Sequence, residues 1–164
     1  MCRQLKFSDI AFQQALLSPC KNKHGAIITK GSKVVCKGYN NNRTKYLNCI
    51  DCCTHAEMDV ARSFVNSYLK KQSGWRNQGN RYNLNGYILW VVRISNPRNE
   101  CLESKLTSSK PCKNCIKHLL SIGFNKIGYS DENGNIVMTN LNHIKSNHLS
   151  NAQRTTRCIV KNIG

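Results

Sequence analysis

"GYILWVVRIS", residues 86–95, is the stretch on which the fold turns. It is an aliphatic run rich in β-branched and aromatic residues, and it reads as a core-forming strand. Helical patterns flank it on both sides. Upstream, Ala56, Val60, Ala61, Phe64, Val65, Tyr68 and Leu69 recur at helical spacing. Thr54 lies just before them with Glu57 three residues later, the capping-box spacing, so Thr54 is the predicted N-cap and His55 falls in the first turn. Downstream, in "KPCKNCIKHLLSIGF" (110–124), Ile116, Leu119 and Leu120 give a second helix its apolar face, and Gly123 ends it.

Farther out the same logic continues. Leu5, Ile10, Ala11, Ala15, Leu16 and Leu17 fall roughly on one face of a first helix that Pro19 closes. "HGAIITKGSKVVCKGYN" (24–40) reads as two strands about a Gly-containing turn. "KIGYS" and "NIVMTN" flank "DENG". About six residues separate Tyr129 from Ile136, whereas a parallel crossover needs a dozen or more, so these two strands form a hairpin. "SGWRNQGNRYNLN" (73–85) and 96–109 are long loops. The order helix, hairpin, helix, strand, helix, two strands predicts an α/β chain: a three-layer α/β/α sandwich with a central mixed sheet. Residues 1–140 carry this pattern. Residues 141–164 are polar and basic, and form either a tail or, through "NHIKSNHLSNAQR" and "CIVKNI", a final helix and strand of the same domain.

A chain of 164 residues suits one domain with a real core. Its beginning, "MCRQLKF", has no apolar signal-like region, and no run approaches a membrane span. The expectation is a soluble, cytoplasmic protein with no membrane partner, whose ten cysteines stay reduced or bind metal. The net charge of +17 points to phosphate-bearing partners, either a nucleotide or RNA or single-stranded DNA. The competing explanation is compositional. Asparagine and lysine abound together, as an AT-rich genome encodes them, and the basic residues are scattered.

Two short motifs carry chemistry. "CTHAEM" (53–58) places His55 and Glu57 two apart at a helix start, and "PCKNC" (111–115) places Cys112 and Cys115 at C-x-x-C spacing at another. Zinc takes about four thiolate, imidazole or carboxylate ligands, and a catalytic site keeps one position for water. Cys112, Cys115 and His55 can reach one ion, with helix N-termini favouring the thiolates. Glu57 leaves the helix about 200° from His55 and cannot ligate with it unstrained, so it suits a general base beside the water. Alone, His-x-Glu is usually a solvated cap, and C-x-x-C is equally a redox or plain thiol pair. Together they are specific.

"THAE" followed by "PCKNC" resembles the H-x-E…P-C-x-x-C signature of the zinc-dependent cytidine/deoxycytidylate deaminase superfamily. The resemblance covers the element order from the first helix to about Asn140. It implies a zinc-dependent hydrolase with His55, Cys112 and Cys115 as ligands and Glu57 as the proton shuttle. It further implies a cytosine-type nucleoside or nucleotide as substrate, with the backbone N–H of Ala56 at the base carbonyl. "GYN" (38–40) is similar to the superfamily's G-[YW]-N, which makes Asn40 the candidate substrate contact; an ordinary turn asparagine is the plain alternative. Oligomers are common in the superfamily, so a homo-oligomer is expected. The final hairpin leans toward the free-nucleoside division, while histidine as first ligand leans toward the deoxycytidylate and tRNA-adenosine types. The alternatives are a deaminase of bases within RNA or single-stranded DNA, and a non-catalytic nucleic-acid-binding protein stapled by zinc.

Cys49, Cys52 and Cys53, with Cys20 or Cys36, offer a second, structural zinc, against the simpler expectation of free thiols. Trp90, in a strand, reads as core, whereas Trp75 beside Arg76 and Arg81 is the aromatic placed to stack on a nucleic-acid strand.

Overall fold

The computed structural model describes residues 3–43, 45–46, 49–50, 53–69, 82–95 and 105–146. In chain order the elements are α1 (Arg3–Leu16), β1 (Lys23–Lys30), β2 (Lys33–Tyr39), β3 (Lys45–Tyr46), β4 (Cys49–Ile50) and α2 (Ala56–Ser63), which runs on as a π-helical segment (Phe64–Leu69). Then follow β5 (Tyr87–Ile94), β6 (Leu106–Thr107), α3 (Lys113–Ile122), β7 (Lys126–Ser130), β8 (Ile136–Asn140) and a 3-10 turn, Leu141–His143.

β5 is the central strand, as its composition predicts. The main sheet runs β2-β1-β5-β7-β8, with β6 also paired to β5. β5 is antiparallel to β1 and parallel to β7, so the sheet is mixed. β7 and β8 form the expected antiparallel hairpin, with Gly134 at φ 86 in its turn. Asp131 Oδ1 fixes that turn by accepting from Asn133 N and Asn135 N at 2.9 and 2.8 Å.

Both faces are covered, and alternation along β5 sorts them. Tyr87, Leu89 and Val91 join Ala26, Ile28, Val60, Phe64, Leu119 and Phe124 in the core under α2 and α3. Trp90, Val92 and Ile94 join Ile27 and the residues of α1 on the other face. Trp90 is core, with Nε1 donating to Thr29 Oγ1 at 2.9 Å. Leu141 is fully buried against the α2/α3 face, so the chain stays on the core past Asn140.

Two local expectations are corrected. The buried stripe of α1 is Phe7, Ala11 and Ala15, one residue every fourth position, while Leu5, Leu16 and Leu17 are exposed. Small alanines win because α1 lies directly on Gly25, where a Cβ would collide with the Ala11 carbonyl and Ala15 amide of α1. The N-cap of α2 is His55, not Thr54. Thr54 is held in an antiparallel bridge to Asn41, and its hydroxyl donates to Arg43 O at 2.8 Å, so no capping box forms. Trp75, Arg76, Arg81 and most of the tail lie outside the described residues. No helix among the described residues is long and apolar enough to cross a membrane.

Candidate metal centre

The sheet brings two helix N-termini together. His55 precedes α2 in extended conformation, and Cys112 does the same for α3. The Sγ of Cys112 accepts from Cys115 N at 3.5 Å, so a sulfur sits where capping oxygens ordinarily sit. His55 Nδ1 lies 3.2 Å from Cys115 Sγ and 3.7 Å from Cys112 Sγ. The three donor atoms all lie within 4.8 Å of one another. Tetrahedral zinc with ordinary Zn–N and Zn–S bonds places nitrogen about 3.6 Å from each sulfur. The donor set fits one such ion, with Nδ1 as the imidazole donor. Among the described residues it is the one His/Cys/Asp/Glu group that could hold a metal.

Both cysteines are buried, in a small cluster with Met58. The hydrogen bond from Cys115 lowers the Cys112 thiol most, to about 3; burial opposes it, and His55 adds to it. Burial alone would lower His55. Hydrogen bonds to Cys112 and Cys53, with the charges of Glu57 and Cys112, outweigh it and raise His55 to about 11. Without metal the pair is therefore thiolate and imidazolium, and a cation that ligates Nδ1 must displace that proton.

Glu57, the second residue of α2, is buried with 5% exposure. Burial raises its carboxyl above the ordinary range; His55 pulls it back, and the Cys112 thiolate pushes it further up. The carboxyl thus feels two of the three donors without belonging to the set. Ala56 begins α2, so its backbone N–H is one of the helix's unpaired leading donors.

Asn40 is buried and mostly committed. Its Oδ1 accepts from Ser18 Oγ at 2.7 Å and from His24 N at 2.7 Å, and its Nδ2 donates to Asn22 O at 2.7 Å. One amide hydrogen remains of its four hydrogen-bonding capacities. Asp59 ties the segment to α2 by accepting from Tyr39 N and Asn41 Nδ2 at 3.3 and 3.1 Å.

The cysteines considered for a second zinc separate. Cys20 donates to Asn42 Oδ1 at 3.4 Å, Cys36 lies in β2, and Cys53 turns to His55. Among the described residues they form no second metal group. The side chains of Cys49 and Cys52 lie outside the described residues.

No protein-family model and no curated protein matches this chain. Among solved structures, it is similar to the dCMP deaminase of cyanophage S-TIM5 in its apo form, at 21% identity and TM-score 0.52, over 79% of this chain and 82% of that one. It is similar also to the cytidine deaminase of Burkholderia pseudomallei, at 14% identity and TM-score 0.56, over 88% of this chain and 98% of that one. The fold is the cytidine deaminase fold. Within it His55, Cys112 and Cys115 form a group that could hold a metal ion. Sequence patterning found the donors because helix starts and C-x-x-C spacing are local. It did not find the thiol of Cys53 beside His55, for which a bend between strand and helix is the cause.

Proposed function

We propose that this chain is a zinc-dependent hydrolytic deaminase of a cytosine-type nucleoside or nucleotide, releasing ammonia and the uracil product. The observation that carries it is a buried carboxylate set beside a three-donor group, all placed by two helix starts. His55, Cys112 and Cys115 would hold a zinc ion, which would supply Lewis acidity to activate water.

The rest belongs to the chain. Glu57, raised by burial, takes one proton from water and gives it to the ring nitrogen, then takes the second from the added hydroxyl and gives it to the departing amine. Water adds at C4, the C–N bond breaks as the C4 carbonyl forms, and the second proton leaves with ammonia while the first stays on the ring nitrogen. The Ala56 N–H binds the base carbonyl, and the spare amide hydrogen of Asn40 meets a sugar hydroxyl. Residues 1–140 hold this machinery.

The net charge of +17 favours a second substrate, a base within RNA or single-stranded DNA. The test is ammonia release from cytidine, deoxycytidine, their monophosphates, adenosine and short oligonucleotides, with Glu57→Ala in parallel. Turnover of a free pyrimidine compound, lost in the variant, is the expected result. Turnover confined to oligonucleotides selects the second substrate. Zinc bound stoichiometrically without turnover of anything overturns the enzyme and leaves a zinc-stapled binding protein.

A further inference from the structure

Arg93 holds the one buried side-chain nitrogen among the described residues that has no hydrogen-bond partner, its Nε. Its Nη2 donates to Asn22 Oδ1 at 3.0 Å, and no carboxylate among the described residues pairs with it. An unpaired N–H on a cation recessed in a sheet is costly and asks for an anion.

The position of Arg93 says where that anion would lie. On β5 the odd residues Tyr87, Leu89 and Val91 face α2 and α3, so Arg93 projects from the face that carries the metal donors. Its antiparallel partner on β1 is His24, on the same face as Ala26 and Ile28. Burial first, then the charges of Arg93 and His55, hold the His24 imidazole down to about 4. The histidine therefore stands within electrostatic reach of both the guanidinium and the metal centre. Asn22 is fixed by Asn40, which holds the Asn22 carbonyl and the His24 amide together. Beyond Arg93 the sheet is extended by β6, where Thr107 pairs with Arg93, so the guanidinium sits at the base of a hairpin and not on an open edge.

We propose that Arg93, oriented by Asn22 and flanked by His24, is a specificity residue that binds the terminal phosphate of a nucleoside monophosphate in the deaminase site. The inference rests on the deaminase function for what occupies the metal side, and on Arg93 alone for the phosphate. The Nε–H and a remaining Nη hydrogen form the fork that two phosphate oxygens accept. A monoester suits a single guanidinium better than a diester: it has a free end, three acceptor oxygens and nearly two negative charges at neutral pH.

The experiment uses the zinc-loaded full chain, as wild type and as Arg93→Gln. Calorimetry measures binding of dUMP, deoxyuridine and a short uracil-containing oligonucleotide, and ammonia release is followed on dCMP and deoxycytidine. The wild type should bind dUMP at least about tenfold more tightly than deoxyuridine, and Arg93→Gln should lose about tenfold to a hundredfold on dUMP and far less on deoxyuridine. Equal wild-type affinity for the two ligands overturns the subsite, as does an equal loss on both. Loss confined to the oligonucleotide overturns it in favour of a phosphodiester. If Arg93→Gln does not fold, the wild-type ratio and Asn22→Ala decide in the same way. Equal turnover of dCMP and deoxycytidine leaves the deaminase standing and removes the subsite. Selective dUMP binding without any deamination does the reverse.

Discussion

Replacing Gly38 by alanine should loosen the metal centre from behind. Gly38 is the point of β2 over which α2 crosses. A Cβ there would stand 2.9 Å from Asp59 Oδ2, 2.9 Å from Val60 N and 3.0 Å from Val60 Cα. Carbon contacts settle near 3.5–4.0 Å, so α2 must retreat by roughly half an ångström or more. Two of the three obstructing atoms belong to the helix backbone, so no rotamer change relieves them. Overpacking of this kind costs about 1–3 kcal/mol, and at this chain length each kcal/mol lowers Tm by about 2–4 °C. The helix that moves is the one whose start positions His55 and Glu57, and the Nδ1-to-sulfur distances of 3.2 and 3.7 Å leave little slack. Gly25→Ala is the control. Its Cβ meets the Ala11 carbonyl and Ala15 amide of α1 on the opposite face more closely still, so it should destabilise at least as much and leave the donors alone. Tm comes from calorimetry, and zinc affinity from competition with a chromophoric chelator well below Tm. Gly38→Ala should weaken zinc and Gly25→Ala should not. Wild-type zinc affinity in Gly38→Ala, or an equal loss in both variants, would refute the idea that Gly38 seats the metal helix.

Chelation should lower Tm, and the wild type should hold one zinc per chain at the described site; Cys112→Ser and Cys115→Ser should each abolish it, read by metal analysis of the purified protein. Stability should fall as pH drops through the window between 6.5 and about 4, because the unfolded chain protonates at His24 where the folded chain resists; the total from this residue is up to about 3 kcal/mol, and urea midpoints across that window should flatten in His24→Gln. Thr29→Val should cost about 1–3 kcal/mol by leaving the buried Nε1 of Trp90 without an acceptor, visible as a lower urea midpoint followed by Trp fluorescence.

What the sequence made legible was whatever a short window contains. The aliphatic run of β5, the length of the "DENG" turn and the placement of Cys112, Cys115 and His55 at helix starts are all local, and the three-dimensional arrangement keeps them. The failures share one cause: a tertiary contact outbid a local preference. Thr54 and Glu57 have the capping spacing, yet the bridge from Thr54 to Asn41 takes the threonine out of the cap and leaves the glutamate free to be buried by the donors. Three leucines of α1 outrank its alanines in hydrophobicity, yet the approach to Gly25 admits only the small residues.

Arg93 shows the limit from the other side. In sequence it is one charge inside an apolar strand, seventy-one residues from Asn22, and nothing local distinguishes it from a solvated edge residue. Only the pairing register, which sets His24 opposite Arg93, and the alternation that turns both toward the metal face give it a role. A one-residue slip of β1 against β5 would put a neighbour that faces α1 in the place of His24. The proposed chemistry of the centre is therefore written in two short motifs, while the proposed selectivity depends on a register fixed by Ala26, Ile28, Leu89 and Val91 packing beneath α2 and α3.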